Sequence, residues 1–260
     1  MHSNNERRPV QRAAERKEKM IIDNSHAYQG KWIVSDEDVI ISLDDDLRVE
    51  GIECQGDIIA SHGVCAKSDI RAKGRIEISG PIETGGSIKA GWHIDTNGGI
   101  QAGGDVEAGE CIRSKRWIIA DGGIKAGRGI AAEGKISAGN DIRTGGYLKA
   151  GVDISSGGCI DVAEGIQSAG GIIAKTYISA QKRIFAGISP EQDSTDCIRW
   201  VKCAELRCGE IAYGQLMPAK EVKQTLPLPH GLEEKQEARK EGRIWKQLKK
   251  CLKHMRYTSR

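Results

Sequence analysis

The sequence predicts an all-β fold: a triangular parallel β-helix of about 18 residues per coil, right-handed by expectation, with a C-terminal α-helix. Three observations predict it. Every sixth residue from Ile52 to Ile184 is a branched aliphatic, 23 positions in unbroken succession. Two residues after most of them stands a small residue, as at Ala60, Ala66, Ala72, Thr84 and Ala90, so the unit reads I-x-A-x-x-x. And 28 of the 33 glycines fall between Gly51 and Gly187, most of them three or four residues after the aliphatic. A period of six matches neither a helix nor a long alternating strand. It matches a short strand with two inward side chains followed by a corner, and glycine is expected at such corners for its access to positive φ.

Each part of the chain follows from where that rhythm holds. Residues 1–30 are read as a basic, flexible N-terminal arm, six cations against three acids over residues 1–20. Residues 31–50 contain strand-like runs (Trp32, Ile33, Val34; Val39, Ile40, Ile41) that miss the six-residue step. They are read as an N-terminal cap, whose Asp44, Asp45 and Asp46 discourage stacking of another molecule on the open end. Residues 51–187 are the solenoid. Residues 188–217 are a terminal coil or cap, in which Val201, Leu206 and Ile211 resume at steps of five. Residues 218–230, with Pro218, Pro227 and Pro229, form a linker, and residues 231–260 a basic amphipathic helix and tail.

Composition fits this division. A hydrophobic content of 38% and an aromatic content of 4% are low for a globular core, but they suit a narrow column of isoleucine and alanine. No run of apolar residues approaches a membrane span and the N-terminus is polar and charged, so a cytoplasmic location is expected. The net charge of +3 is segregated: residues 36–50 sum to −6 and residues 231–260 to +6.

With three rungs per coil, residues i and i+18 become neighbours. The outward positions then sort into three columns. Glu53, Arg71, Lys89, Glu107, Lys125, Arg143 and Asp161 form a mixed-charge ladder, in which Glu53 is expected to pair with Arg71, Glu107 with Lys89 or Lys125, and Asp161 with Arg143. Ile59, Glu77, Asp95, Arg113, Ala131, Lys149 and Gln167 change from acidic to basic. Cys65, Glu83, Gln101, Ile119, Ser137, Ser155 and Ile173 are nearly uncharged, with Trp117 beside Ile119. Aromatic and aliphatic anchors with few charges to desolvate make good interface centres, so Trp117, Ile119 and Ile173, with Trp92 at a corner, are the candidate partner-binding residues. In the tail, Arg243, Trp245, Lys246, Lys249, Lys250 and Lys253 are candidates for a charged ligand, a nucleic acid or a partner protein.

The G-x-I-x-A pattern over residues 51–187 resembles the bactofilin type of polymer-forming β-helix, which flanks a triangular right-handed solenoid with disordered tails. The charged N-terminal segment and the long C-terminal extension depart from that family and would obstruct its end-to-end stacking. The left-handed hexapeptide acyltransferases share the period but place the small residue four, not two, after the aliphatic. His62 and His93 fall in no inserted loop of the kind those enzymes use.

No catalytic set, cofactor site or nucleotide-binding loop is expected. Cys197, Cys203 and Cys208, with Cys251 and His254, lack dependable zinc spacing, and Cys203 and Cys208 take the small inward position of the repeat. The function expected is a non-enzymatic interaction scaffold that binds a protein partner or copies of itself. A small mobile-element inhibitor of a host nucleoprotein complex is the alternative, followed by an acyltransferase.

Overall fold

In a computed structural model of the chain, the described residues are 19–24, 30–187, 200–213, 215–216 and 223–224. Contacts divide the chain into residues 1–226 and 227–260. The second unit, and with it the predicted C-terminal helix, lies outside the described residues.

The first unit is a parallel β-solenoid of about 9 turns with coils of about 18 residues. Each coil contributes three strands, and each strand pairs with the one a full coil away. Gly51–Cys54 pairs with Ile70–Ala72 on a first face, Ile58–Ala60 with Ile76–Ile78 on a second, and Val64–Ala66 with Ile82–Thr84 on a third. The step of 18 persists to the far end, where Ile160 meets Ile178 and Ile166 meets Ile184. Strand Tyr177–Ala186 turns the corner between the first and second faces without a break, which joins them into a 20-stranded sheet among the described residues. The third face is a separate sheet, of 10 strands among the described residues.

The periodic aliphatics from Ile52 to Ile184 all point inward, and none is more than 1% exposed. Where the second inward position is not apolar, it is Thr84, Thr96, Ser114, Thr144, Ser156 or Ser168, all buried. These hydroxyls close the corners. Ser114 Oγ donates to the Gly98 carbonyl at 2.8 Å and accepts the Arg116 N–H at 3.1 Å. Thr144 Oγ1 does the same with Arg128 (3.0 Å) and Gly146 (3.3 Å). A buried hydroxyl so satisfied avoids the penalty of an unpaired polar group.

Aspartates form a second corner device. An aspartate often precedes the aliphatic, and its Oδ1 accepts the backbone N–H of the residue stacked above it. Asp57 takes Arg75 (2.8 Å), Asp69 takes Ser87 (2.7 Å), Asp105 takes Gly123 (2.6 Å), Asp141 takes Cys159 (2.8 Å) and Asp153 takes Gly171 (2.7 Å). Each staples one coil to the next at a point where the ladder is interrupted.

Three expectations require correction. The corner glycines do not use positive φ; among the described residues only Gly30 and Gly187 lie in the left-handed region. Their reason is close approach, since a Cβ on Gly109 would sit 1.9 Å from the carbonyl oxygen of Gly91 in the coil beneath. Next, stacking is not confined to the six-residue rhythm. Within the segment read as an arm, Lys19–Asp23 pairs with Asp38–Ser42. Within the segment read as a cap, Ile33, Val39 and Leu47 sit in register with Ile52, Ile58 and Val64. At the other end Trp200–Lys202 pairs with Ile172–Ala174, and Lys223–Gln224, in the segment read as a linker, pairs with Glu205–Leu206. Corners of varying length still deliver each rung onto the one below.

Finally, the ion pairs differ in part. Lys89 meets Glu107 at 3.1 Å as expected, but Arg71 binds Asp69 at 2.5 Å and Arg143 binds Asp141 at 2.8 Å. Residues i and i+2 project from the same side of a strand, and an aspartate already fixed by its amide bond is the better-placed partner.

Candidate interaction face

The third face carries the column Cys65, Glu83, Gln101, Ile119, Ser137, Ser155, Ile173, in parallel register through its successive strands. Five consecutive outward positions, Gln101 to Ile173, bear no charge. Ser155 Oγ donates to Ser137 Oγ at 3.0 Å in the middle of this run. Ile119 is half-buried by its neighbours and Ile173 is 43% exposed.

Trp117 stands at the edge of this face and is itself half-buried. Its indole lies over Gly99 of the coil beneath, where a Cβ would meet Cε2 at 2.5 Å, and the Arg116 guanidinium sits 5.8 Å from the ring centroid. Tyr147 lies over Gly129 in the same way, and Trp32 lies under Gly51. An aromatic ring laid on a strand glycine covers backbone that no side chain protects. Trp117 is thus anchored on one side and presents its remaining surface beside Ile119.

The structure does not bring Trp92 to this face. It lies at the corner between the first and second faces, 61% exposed, with its ring edge-on to His93 at 6.3 Å. His93 faces Glu110 (Nδ1 to Oε2, 3.5 Å), whereas His62 sits at the corner between the second and third faces with Nδ1 3.2 Å from Ser61 Oγ. The two histidines therefore occupy different corners. The tail residues Arg243, Trp245, Lys246, Lys249, Lys250 and Lys253 lie outside the described residues.

Sequence reading missed Trp200. It is 39% exposed and begins the strand stacked on Ile172–Ala174, so it extends the edge on which Trp117 sits. The 29-residue step from Ile172 to Val201 hid it from a period of 18. The edges of the face also carry exposed charges: Lys135 and Asp153 on the Trp117 side, Asp121 and Lys175 on the other.

The cysteines are placed by packing. Cys203 and Cys208 point inward, each 2% exposed, and burial pushes both thiols up to about 11. Cys54 behaves alike, raised to about 11 chiefly by burial. Cys197 and Cys251 lie outside the described residues, and no group of three potential ligands gathers among the described residues. At pH 8 a thiol of pKa about 11 is ionised to only about one part in a thousand, and the thiolate is the nucleophile. Iodoacetamide should therefore alkylate the half-buried Cys65 and Cys111 in the native protein and reach Cys203 and Cys208 only after urea unfolding, as read by peptide mass mapping. Equal native rates at Cys65 and Cys208 would contradict the inward placement.

Among the described residues no helix is long and apolar enough to cross a membrane. No protein-family model, curated protein or solved structure matches this chain.

Proposed function

We propose that this protein is a non-enzymatic interaction scaffold whose third solenoid face holds a protein partner. The observation that carries this reading is the uncharged run from Gln101 to Ile173, flanked by Trp117 and Trp200, on a sheet whose backbone is fixed coil by coil. The other two faces present charged side chains over the same coils, among them Lys89, Glu107, Lys125 and Arg143 on the first, and Asp95, Arg113 and Lys149 on the second. Desolvating such charges opposes association, whereas Ile and Trp on a rigid surface gain contact area at little ordering cost.

The test uses the purified full-length chain as bait in its native host extract, beside Ile173→Asp and a control substitution, Lys125→Asp, on the first face. A partner held by the third face is captured by the wild type and by the control, and lost about tenfold or more with Ile173→Asp, while far-UV circular dichroism stays unchanged. Capture that is equal across all three baits would remove the third face from consideration.

A further inference from the structure

The third face is complementary to itself. Consider the four coils that carry Ile119, Ser137, Ser155 and Ile173, and a two-fold axis lying between two facing copies, parallel to the strands and midway between the Ser137 and Ser155 rungs. This rotation reverses the stacking direction and keeps the strand direction, so each edge column meets its own counterpart in reverse order. Along the centre, Ile119 comes opposite Ile173 of the other copy, and Ser137 opposite Ser155. Along one edge, Lys135 comes opposite Asp153. Along the other, Asp121 comes opposite Lys175.

The shapes agree with the charges. Trp117, the bulkiest side chain at the edge, falls opposite Gly171, and Val152, 47% exposed at the neighbouring corner, falls opposite Gly134. Gly139 falls opposite Gly157, where two backbones meet with nothing between them. The other two-fold arrangement, with the axis along the stack, would set Ile119 against itself and Trp117 against Asp121, and it pairs none of the four charges with an opposite. A two-fold interface requires one patch to be its own complement, and this register satisfies that at every central position.

Resting on the reading of the third face as the interaction surface, we infer that its occupant is a second copy of this chain, packed face to face with the two solenoids antiparallel. Four coils about 4.8 Å apart and five residues about 3.3 Å apart give a footprint of roughly 300 Å² per copy. That is well below the roughly 800 Å² per partner of a standard interface, so the dimer is weak and its populations follow protein concentration.

Two measurements test this on the full chain. In sedimentation equilibrium up to about 100 μM, a range set by the small footprint, the wild type forms a dimer. Asp121→Lys and Lys175→Asp each weaken it about tenfold by opposing like charges at both ends, and the double reversal restores it. Asp121 and Lys175 are three coils apart in one chain, about 14 Å, so restoration reports contact between copies. In oxidative cross-linking, an equal mixture of Ile119→Cys and Ile173→Cys yields a disulfide-linked heterodimer above the wild-type background, and neither variant alone does.

Cross-linking of Ile119→Cys alone would place the copies in the same stacking direction and overturn the register. A wild type that stays monomeric would overturn the dimer itself. If the Ile173→Asp bait still loses a captured protein in that case, the scaffold reading stands with a different occupant; if no bait shows face-dependent capture, both fall.

Discussion

Replacing Ile112 by alanine is expected to cost about 2–5 kcal/mol of stability, read as a shift of the urea midpoint with little change in slope. Ile112 is fully buried and sits between Ile94 below and Ile130 above, each held by a parallel ladder. The backbone cannot collapse into the space vacated by the side chain, because every neighbouring strand is fixed by hydrogen bonds to the coils on both sides. The lost methylenes therefore leave a cavity rather than a repacked core. In a solenoid each coil touches only its neighbours, so position along the column matters as well as burial. Ile33, also buried, stacks on Ile52 at the N-terminal end of the described ladder; Ile33→Ala should cost about half as much, because the ladder holds this rung from one side instead of two. Ile119→Ala, facing outward, should stay within about 0.5 kcal/mol. Equal losses at Ile112 and Ile119 would mean that the isoleucine column is not the core.

How far the fold could be read from the sequence depends on which constraint repeats strictly. The inward aliphatic does, because each must land on the one below, and Ile52 through Ile184 announce it at constant spacing. The corners do not. Between Ile33, Val39, Leu47 and Ile52 the steps are six, eight and five, yet all four sit in the column. A periodicity search equates lost rhythm with lost fold, whereas the ladder demands only that each strand regain its register. The long step before Val201 hid Trp200 for the same reason. The glycines were located correctly but for another cause: what they supply is the absence of a Cβ against the carbonyl below, a close approach that exists only once the coils are stacked.

The candidate site was legible in the same uneven way. Sorting the residue just after each aliphatic by steps of 18 isolated the uncharged column with Ile119 and Ile173, and the structure keeps that register. Sorting the residue just before each aliphatic would have exposed two further facts at no extra cost: the Asp-Ile and Asp-Val pairs that staple coils, and the edge on which Lys135 and Asp153 follow Trp117. Trp92 was legible as a corner residue, and its step of four from Ile88 puts that corner between the first and second faces, away from the column of Ile119 and Ile173.

Asp141→Ala is expected to cost about 1–2 kcal/mol at pH 7, and most of that cost is expected to be lost in acid. Asp141 accepts the buried Cys159 N–H through Oδ1 at 2.8 Å and the Arg143 guanidinium through Oδ2 at 2.8 Å. The backbone N–H of Cys159, with Arg143 adding to it, holds this carboxyl below the usual aspartate range. A charge-assisted hydrogen bond to a backbone amide contributes about 1.5–3 kcal/mol when shielded, and the side chain's 35% exposure reduces that figure through solvent screening. Because the folded pKa lies below the unfolded one, the stabilisation is fully present above about pH 4, the unfolded value, and is lost as pH falls through the folded value. Urea titrations of wild type and Asp141→Ala should therefore diverge at pH 7 and converge toward pH 2. Asp141→Asn keeps an acceptor but no charge, so at pH 7 it should fall between them; neither variant titrates at this position, so its small advantage over Asp141→Ala should persist in acid, where the wild type comes down to the Asn level. A gap that stays constant from pH 7 to pH 2 would assign the staple to shape rather than charge, and the four other aspartates of the same geometry would then be read in that way too.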